Sequence, residues 1–188
     1  MTNADSLALI AALRHLRAVR TFRPAPVPEH VLHDLLDVAR WTGSARNAQP
    51  WEFMIIRNPE TLKALAQAEG YVKNLDGAAL GIVLVMAGDP AVVNEEAYDE
   101  GRLSERIMLA AAAHGLGSGI GWFVGSGPAA AKAILGIPAE RLVRTVIAVG
   151  YPDELTQRAR PKSPLARKPL ADMVFEERYG QRMDEPIT

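Results

Sequence analysis

Trp41-Thr42-Gly43-Ser44-Ala45-Arg46-Asn47-Ala48-Gln49-Pro50-Trp51-Glu52-Phe53 joins two strongly patterned segments. Ahead of it, Val31, Leu32, Leu35, Val38 and Ala39 share one arc at about 100° per residue, while His30, His33, Asp34, Asp37 and Arg40 share the other. That pattern predicts an amphipathic helix from Pro28 to Trp41. Behind it, Trp51 to Arg57 reads as an apolar strand. The residues between are small and amide-bearing and have no hydrophobic period, so they form a loop whose ends are fixed by packed elements. Such loops often carry binding chemistry, because their backbone groups stay free to face a ligand. Gly43, Ser44 and Ala45 allow close approach to the backbone, Asn47 and Gln49 each offer a donor and an acceptor, and Pro50 ends the loop. A loop that only caps the helix and starts the strand is the competing reading.

Working toward the amino terminus, Leu7, Ile10, Leu13 and Leu16 recur at helical spacing. They predict a helix over about residues 5 to 16, capped by Asp5 or Ser6. It runs into the basic cluster Arg14, Arg17, Arg20 and Arg23, after which Pro24, Pro26 and Pro28 impose an extended connector. Working toward the carboxyl terminus, Asn58-Pro59-Glu60 reads as a turn and Thr61 to Ala68 as a short helix. The run Ala78 to Ala87 is rich in Leu, Ile and Val, as in a central strand buried on both faces. Asn94 to Gly115 reads as a long helix that begins among acids and ends apolar all round. Its second half is therefore expected to be buried against a neighbouring element or a second subunit. Gly115, Gly117, Gly119, Gly121, Gly125 and Gly127 follow, with Trp122-Phe123 among them, then a helix over Ala129 to Leu135 and a strand over Leu142 to Val149. The tail mixes proline with Arg158, Arg160, Lys162, Arg167 and Lys168 and closes on a short amphipathic segment, Leu170 to Tyr179.

A chain of 188 residues supports one sizeable core, so a single domain over 1–188 is expected. Its 48% hydrophobic and 23% charged content suits a globular protein rather than a disordered one. A net charge of -1 offers no global field for nucleic acid or an anionic membrane. The absence of cysteine removes disulfides, thiolate catalysis and cysteine-type metal centres. Residues 1–14 lack the order of a signal peptide, and both apolar runs are too short to span a bilayer, so a cytoplasmic protein is expected.

The glycine cluster does not spell a dinucleotide fingerprint: Ile120 stands where the third glycine is needed, and the cluster follows a helix. A phosphate-cradling P-loop is absent as well. His30 and His33 with Asp34 and Asp37 are better explained as a solvated helix face than as a metal site, and no triad or carboxylate pair stands out. What remains is a close-approach strip carrying Trp122, the amides of the opening loop, and two basic clusters, Arg17/Arg20/Arg23 and Arg158 to Lys168. Brought together, these describe a planar ligand, polar along one edge and tailed by a phosphate. Flavin mononucleotide (FMN) fits, and so does a nucleotide.

Arg17-Ala18-Val19-Arg20-Thr21-Phe22, Pro26-Val27-Pro28 and Ser44-Ala45-Arg46-Asn47-Ala48-Gln49-Pro50-Trp51 resemble the N-terminal signature of the FMN-dependent nitroreductase family. Ala113-His114-Gly115-Leu116-Gly117, Gly119-Ile120-Gly121-Trp122-Phe123, Leu135-Gly136-Ile137-Pro138, Val149-Gly150-Tyr151-Pro152 and Arg167-Lys168-Pro169-Leu170 agree in order. The resemblance implies an α+β fold with a central, mostly antiparallel mixed sheet flanked by helices, in an intertwined homodimer with flavins at the seam. It implies that NADH or NADPH gives hydride to flavin N5 and that a nitroaromatic, quinone or enone then takes electrons in a ping-pong cycle, so that no protein nucleophile is needed. Reductive dehalogenation, flavin fragmentation, or flavin binding without turnover stay open beside that reading. By the same resemblance Arg17, the Ala18 backbone and Arg20 hold the phosphate side and pyrimidine edge, and Gly43, Ser44, Asn47 and Gln49 contact the flavin from the loop. Ile120, Gly121 and Trp122 lie against the ring, and Arg167 reaches the phosphate. The chain departs from the family where Leu16-Arg17-Ala18 replaces Arg-Arg-Ser and where Gly43 replaces a common proline; Arg14, Arg160, Lys162 or Lys168 are candidates to compensate.

Overall fold

In a computed structural model, residues 3–159 and 167–182 are described. They belong to two compact units, Met1–Arg158 and Ala159–Thr188. The first holds the sheet. Its strands are β1 (Phe22–Arg23), β2 (Trp51–Ile56), β3 (Leu80–Met86), β4 (Gly117–Trp122) and β5 (Leu142–Pro152). The order is β1-β5-β3-β2, with β4 paired to β5 on the edge opposite β3, and every pairing among the described residues is antiparallel. β5 runs past the expected Val149 because its last residues take the segment just before the proline-rich connector as a partner, Phe22 against Pro152 and Arg23 against Tyr151.

The helices are α1 (Asn3–His15), α2 (Glu29–Arg40), α3 (Pro59–Ala66), α4 (Val93–Ala113), α5 (Gly127–Leu135) and α6 (Glu154–Ala159). Strand alternation sorts the core into two layers. Leu80, Ile82, Leu84, Met86, Ile147 and Val149 face α2 and α4, whereas Val83, Val85, Val143, Val146 and Ala148 face α3 and α5. All of β3 is buried, as its unbroken apolar run predicts. In α2, Val31, Leu32, Leu35 and Ala39 are buried, each large side chain contributing about 1.5–3 kcal/mol. Val38, at the margin of the predicted arc, is 39% exposed. Asn58 caps α3 by accepting the Thr61 N–H at 3.0 Å, and Pro59 occupies the first turn, where a missing N–H is harmless.

The two ends of α4 are buried differently. Its apolar end is buried at Ile107, Met108 and Ala111, but Ala112 and Ala113 are exposed and Leu109 and Ala110 half-exposed. Leu109, Ala112 and Ala113 line a groove of about 510 Å³ with Leu9, Ala12 and Leu13 of α1, and helix α1 leaves Leu7, Leu9, Ile10 and Leu13 exposed. Among the described residues of the first unit, nothing covers that strip. Its acidic end is buried instead: Glu96, Asp99 and Glu100 are at most 4% exposed. Among the described residues no helix is long and apolar enough to cross a membrane. In the second unit, Leu170–Asp172 forms a single turn of 3-10 helix, and Arg182 stacks over Phe175, which packs on Tyr179.

Candidate functional site

β4 is built mostly from backbone. Gly117, Gly119 and Gly121 point to one face, and there a side chain has no room: a Cβ on Gly117 would meet the Val19 side chain, and one on Gly119 the Val19 carbonyl oxygen. The glycines therefore let the segment after α1 lie directly on the strand, as the Val19 N–H to Ser118 O bond of 2.8 Å shows. Asn74 lies beneath the same face and donates to Gly119 O at 2.9 Å, while its buried Oδ1 has no hydrogen-bond partner among the described residues. Ile120 and Trp122 point the other way and are 42% and 45% exposed.

The strand's outer edge has an opening. Antiparallel pairing turns the N–H and C=O of alternate residues to the same edge. Ser118 and Trp122 use their carbonyls there, accepting from Val19 N and from Tyr71 N, each at 2.8 Å. Ile120, midway, turns its own N–H and C=O to that edge, and among the described residues no bond from outside the ladder covers it. Arg17, Ala18 and Arg20 are exposed beside this opening, next to Val19 in the chain. Arg17 donates to the carbonyls of Arg14 and Leu16, at 2.7 and 2.8 Å, which holds its side chain near the end of α1. It also lines the α1–α4 groove with Ser118, whose buried hydroxyl has no hydrogen-bond partner among the described residues.

The opening loop is strained. Arg46, Asn47 and Gln49 have φ of 52°, 56° and 49°, left-handed values that cost about 1–3 kcal/mol each for such residues and that cluster at functional sites. Two residues of α4 hold it, Arg102 donating to Gly43 O at 2.7 Å and Arg106 to Trp41 O at 2.8 Å. Ser44 Oγ accepts the Gln49 N–H at 2.9 Å, and the Gln49 amide donates to Asn47 O at 3.3 Å, so both help fold the loop. The Asn47 side chain stays exposed.

Val19 thus brings its neighbours Arg17, Ala18 and Arg20 to the start of β4, at Gly117 to Gly119, the strand that also carries Ile120, Gly121 and Trp122, but among the described residues the loop does not join them within one chain. Ser44 lines a separate cleft of about 560 Å³ with Tyr98, Asp99 and Arg102, near the start of α4, whereas Arg17 shares its groove with Ala112, near the end. Tyr98 and Ala112 are about 20 Å apart along the helix axis. Arg167 and Lys168 are exposed in the second unit, and Arg160 and Lys162 lie outside the described residues.

Sequence reasoning passed over Asn74 and the acids of α4. Glu96 accepts the N–H groups of Gly88 and Asp89, at 2.8 and 3.2 Å, and so ties the end of β3 to the helix. Glu100 bonds Arg144 Nε, and burial pushes its carboxyl above the usual range against the pull of that guanidinium. Burial likewise raises Asp99, opposed by Arg102. A spacing of i, i+3 and i+4 marks these acids as sharing one helix face, the only signal available in sequence, and it does not distinguish a buried face from a solvated one.

Comparison with known proteins places these features in a common frame. Residues 13–70 match the model of the Nitroreductase family. A relative from Archaeoglobus fulgidus, provisionally named NADH dehydrogenase/NAD(P)H nitroreductase, is 30% identical over 148 residues, covering 73% of this chain and 82% of its own. The FMN-dependent nitroreductase of Clostridium difficile R20291 superposes with a TM-score of 0.75 at 22% identity, over 90% of this chain and 99% of that one. A provisionally assigned nitroreductase of Desulfovibrio desulfuricans, solved in complex with FMN, gives 0.71 at 24%, over 91% and 97%. At such identities the two structures establish the fold.

Proposed function

Because the chain belongs to the nitroreductase family, we propose that it is an FMN-dependent oxidoreductase that takes reducing equivalents from NADH or NADPH and passes them to a small acceptor such as a nitroaromatic, quinone or enone. The single observation that carries this is the opening in the β4 edge at Ile120, framed by Val19 and Tyr71 and bordered by Arg17 and Arg20. A flat ligand with a polar rim fits there: Ile120 offers a backbone donor and acceptor, and two arginines stand at the margin. The exposed faces of Ile120 and Trp122 supply apolar contact.

Each residue then has a role of its own. Arg17 and the Ala18 backbone hold the phosphate side. Arg20 sets a cation at the rim, where it stabilises negative charge that develops on the ligand. Asn74, bonded to Gly119 O, keeps the strand from shifting under the ring. Bound FMN supplies the redox chemistry, accepting hydride from the nicotinamide and delivering electrons to the acceptor, so the protein binds, orients and excludes water. Gly43, Ser44, Asn47 and Gln49 of a second protomer complete the site, which accounts for strained residues at a distance from Arg17 in the same chain and for the exposed apolar face of α1. Leu16 and Ala18 offer the phosphate neither the cation nor the hydroxyl usual in the family, so modest FMN affinity is expected.

The test is an FMN titration of the purified protein, followed by anaerobic NADH or NADPH and a panel of acceptors. Saturable binding with bleaching of the flavin absorbance is expected. A protein that neither binds FMN nor reduces it overturns the proposal, and tight binding without bleaching by either nicotinamide reduces it to a flavin-binding module.

A further inference from the structure

Between β3 and β5 the register slips by one residue: Leu84 pairs with Thr145 and Val85 with Val143, which leaves Arg144 as the extra residue on β5. A bulge of this kind re-aims the side chain at the bulged position. Here the guanidinium bonds the carboxylate of Glu100, a residue only 2% exposed, and lies over the ring of Trp122, 5.8 Å from its centroid. Arg144 also accepts the Phe123 N–H through its carbonyl at 2.8 Å, so both its backbone and its side chain engage the end of β4. Its own side chain is 19% exposed, and its Nη2 has no hydrogen-bond partner among the described residues. A buried ion pair that leaves a guanidinium nitrogen unsatisfied is a poor device for stability alone.

We infer that Glu100 and Arg144 form a strut that fixes the Trp122 ring on the ligand-facing side of β4, making them positioning residues for the acceptor or nicotinamide that stacks there. The strut itself is independent of the flavin reading; its consequence for turnover rests on that reading. A half-exposed indole would otherwise be free to change rotamer at the mouth of the site. The planar guanidinium gives the ring a face to stack on, and the buried carboxylate, anchored in α4, keeps that plane in place.

The test uses the full chain labelled with 5-fluorotryptophan, whose three tryptophans give three fluorine resonances. Trp122→Phe assigns the line of interest, and the line of Trp51, packed in the core, reports that the protein is folded. Arg144→Met and Glu100→Gln are each expected to shift and broaden the Trp122 line while Trp51 stays in place, and Arg144→Lys to give a smaller change. If the Trp122 line is unmoved in Arg144→Met with Trp51 intact, there is no strut. With FMN bound, Arg144→Met is expected to raise the acceptor or nicotinamide KM about tenfold with kcat changed about twofold or less, and to add nothing further in a Trp122→Phe background. Additive losses, or kinetics equal to wild type, overturn the positioning role. A wild-type protein that takes up no FMN overturns the flavin reading and the consequence for turnover drawn from it, whereas the fluorine spectra still decide the strut.

Discussion

β3 and β4 lie against opposite edges of β5 and are built on opposite principles. β3 is Leu-Gly-Ile-Val-Leu-Val-Met, every residue buried, with both faces packed and both edges paired to full-length strands. β4 is Gly-Ser-Gly-Ile-Gly-Trp, paired on one edge only, with the other edge divided between Val19 and Tyr71. One strand gains stability by filling space with branched side chains. The other gives up side chains so that backbone can approach backbone, and it leaves a donor and an acceptor uncovered at Ile120. A core strand and a site strand can therefore sit side by side in one sheet, distinguished by what each presents to its neighbours.

Substitutions sharpen that contrast. Leu84→Ala in β3 is expected to destabilise the fold by about 2–5 kcal/mol in denaturant unfolding while the folded protein keeps its FMN affinity; a large loss of affinity there would erase the distinction. Gly119→Ala in β4 should do the reverse, because its Cβ would displace the Val19 carbonyl and with it the Arg17–Arg20 segment. An FMN Kd raised about tenfold, equivalent to about 1.4 kcal/mol, with a smaller loss of stability than Leu84→Ala is the expected result. Wild-type binding by that variant would make the glycine strip a packing device only.

Asn47→Ala tests whether the loop serves β4 from a second protomer. An FMN Kd raised about threefold is expected in titration; if flavin occupancy and dimerisation by ultracentrifugation both match wild type, the cross-subunit assignment fails. The smallest effect concerns the turn beyond β4, where the Ser126 backbone N–H and hydroxyl both donate to Glu69 at 2.8 Å and hold its carboxyl below the ordinary 4.5. A lowered folded value stabilises above the unfolded one and loses that contribution as pH falls through the lowered value. The Tm advantage of wild type over Ser126→Ala should thus be present at neutral pH and shrink in acid; an advantage that grows in acid would contradict the assignment.

The candidate site was unevenly legible. The Arg17–Arg20 signature, the 41–53 loop and the glycine strand stand out because their residue types are poor choices for ordinary packing. The acids of α4 do not, since Glu96, Asp99 and Glu100 share a helix face just as a solvated acidic stripe would. Their burial depends on the N–H groups of Gly88 and Asp89 and on a bulge in β5, none of which the local sequence of α4 records. The glycines carried a second meaning as well. They read as open space for a ligand, yet Val19 fills one face of the strand, and the opening lies at its edge.

Periodicity and residue type by themselves determined α2, the buried central strand, the 41–53 loop and a backbone-rich glycine strip, because each depends on interactions a few residues apart; that the strip is a strand and that the loop is strained came from the tertiary structure. Which elements meet was decided only by tertiary structure. Val19 lies on β4, Arg144 turns out of its strand toward Glu100, and the loop and Arg17 stand at different ends of α4. Those outcomes depend on contacts between residues far apart in the chain, where the shape and register of one element choose the partner of another.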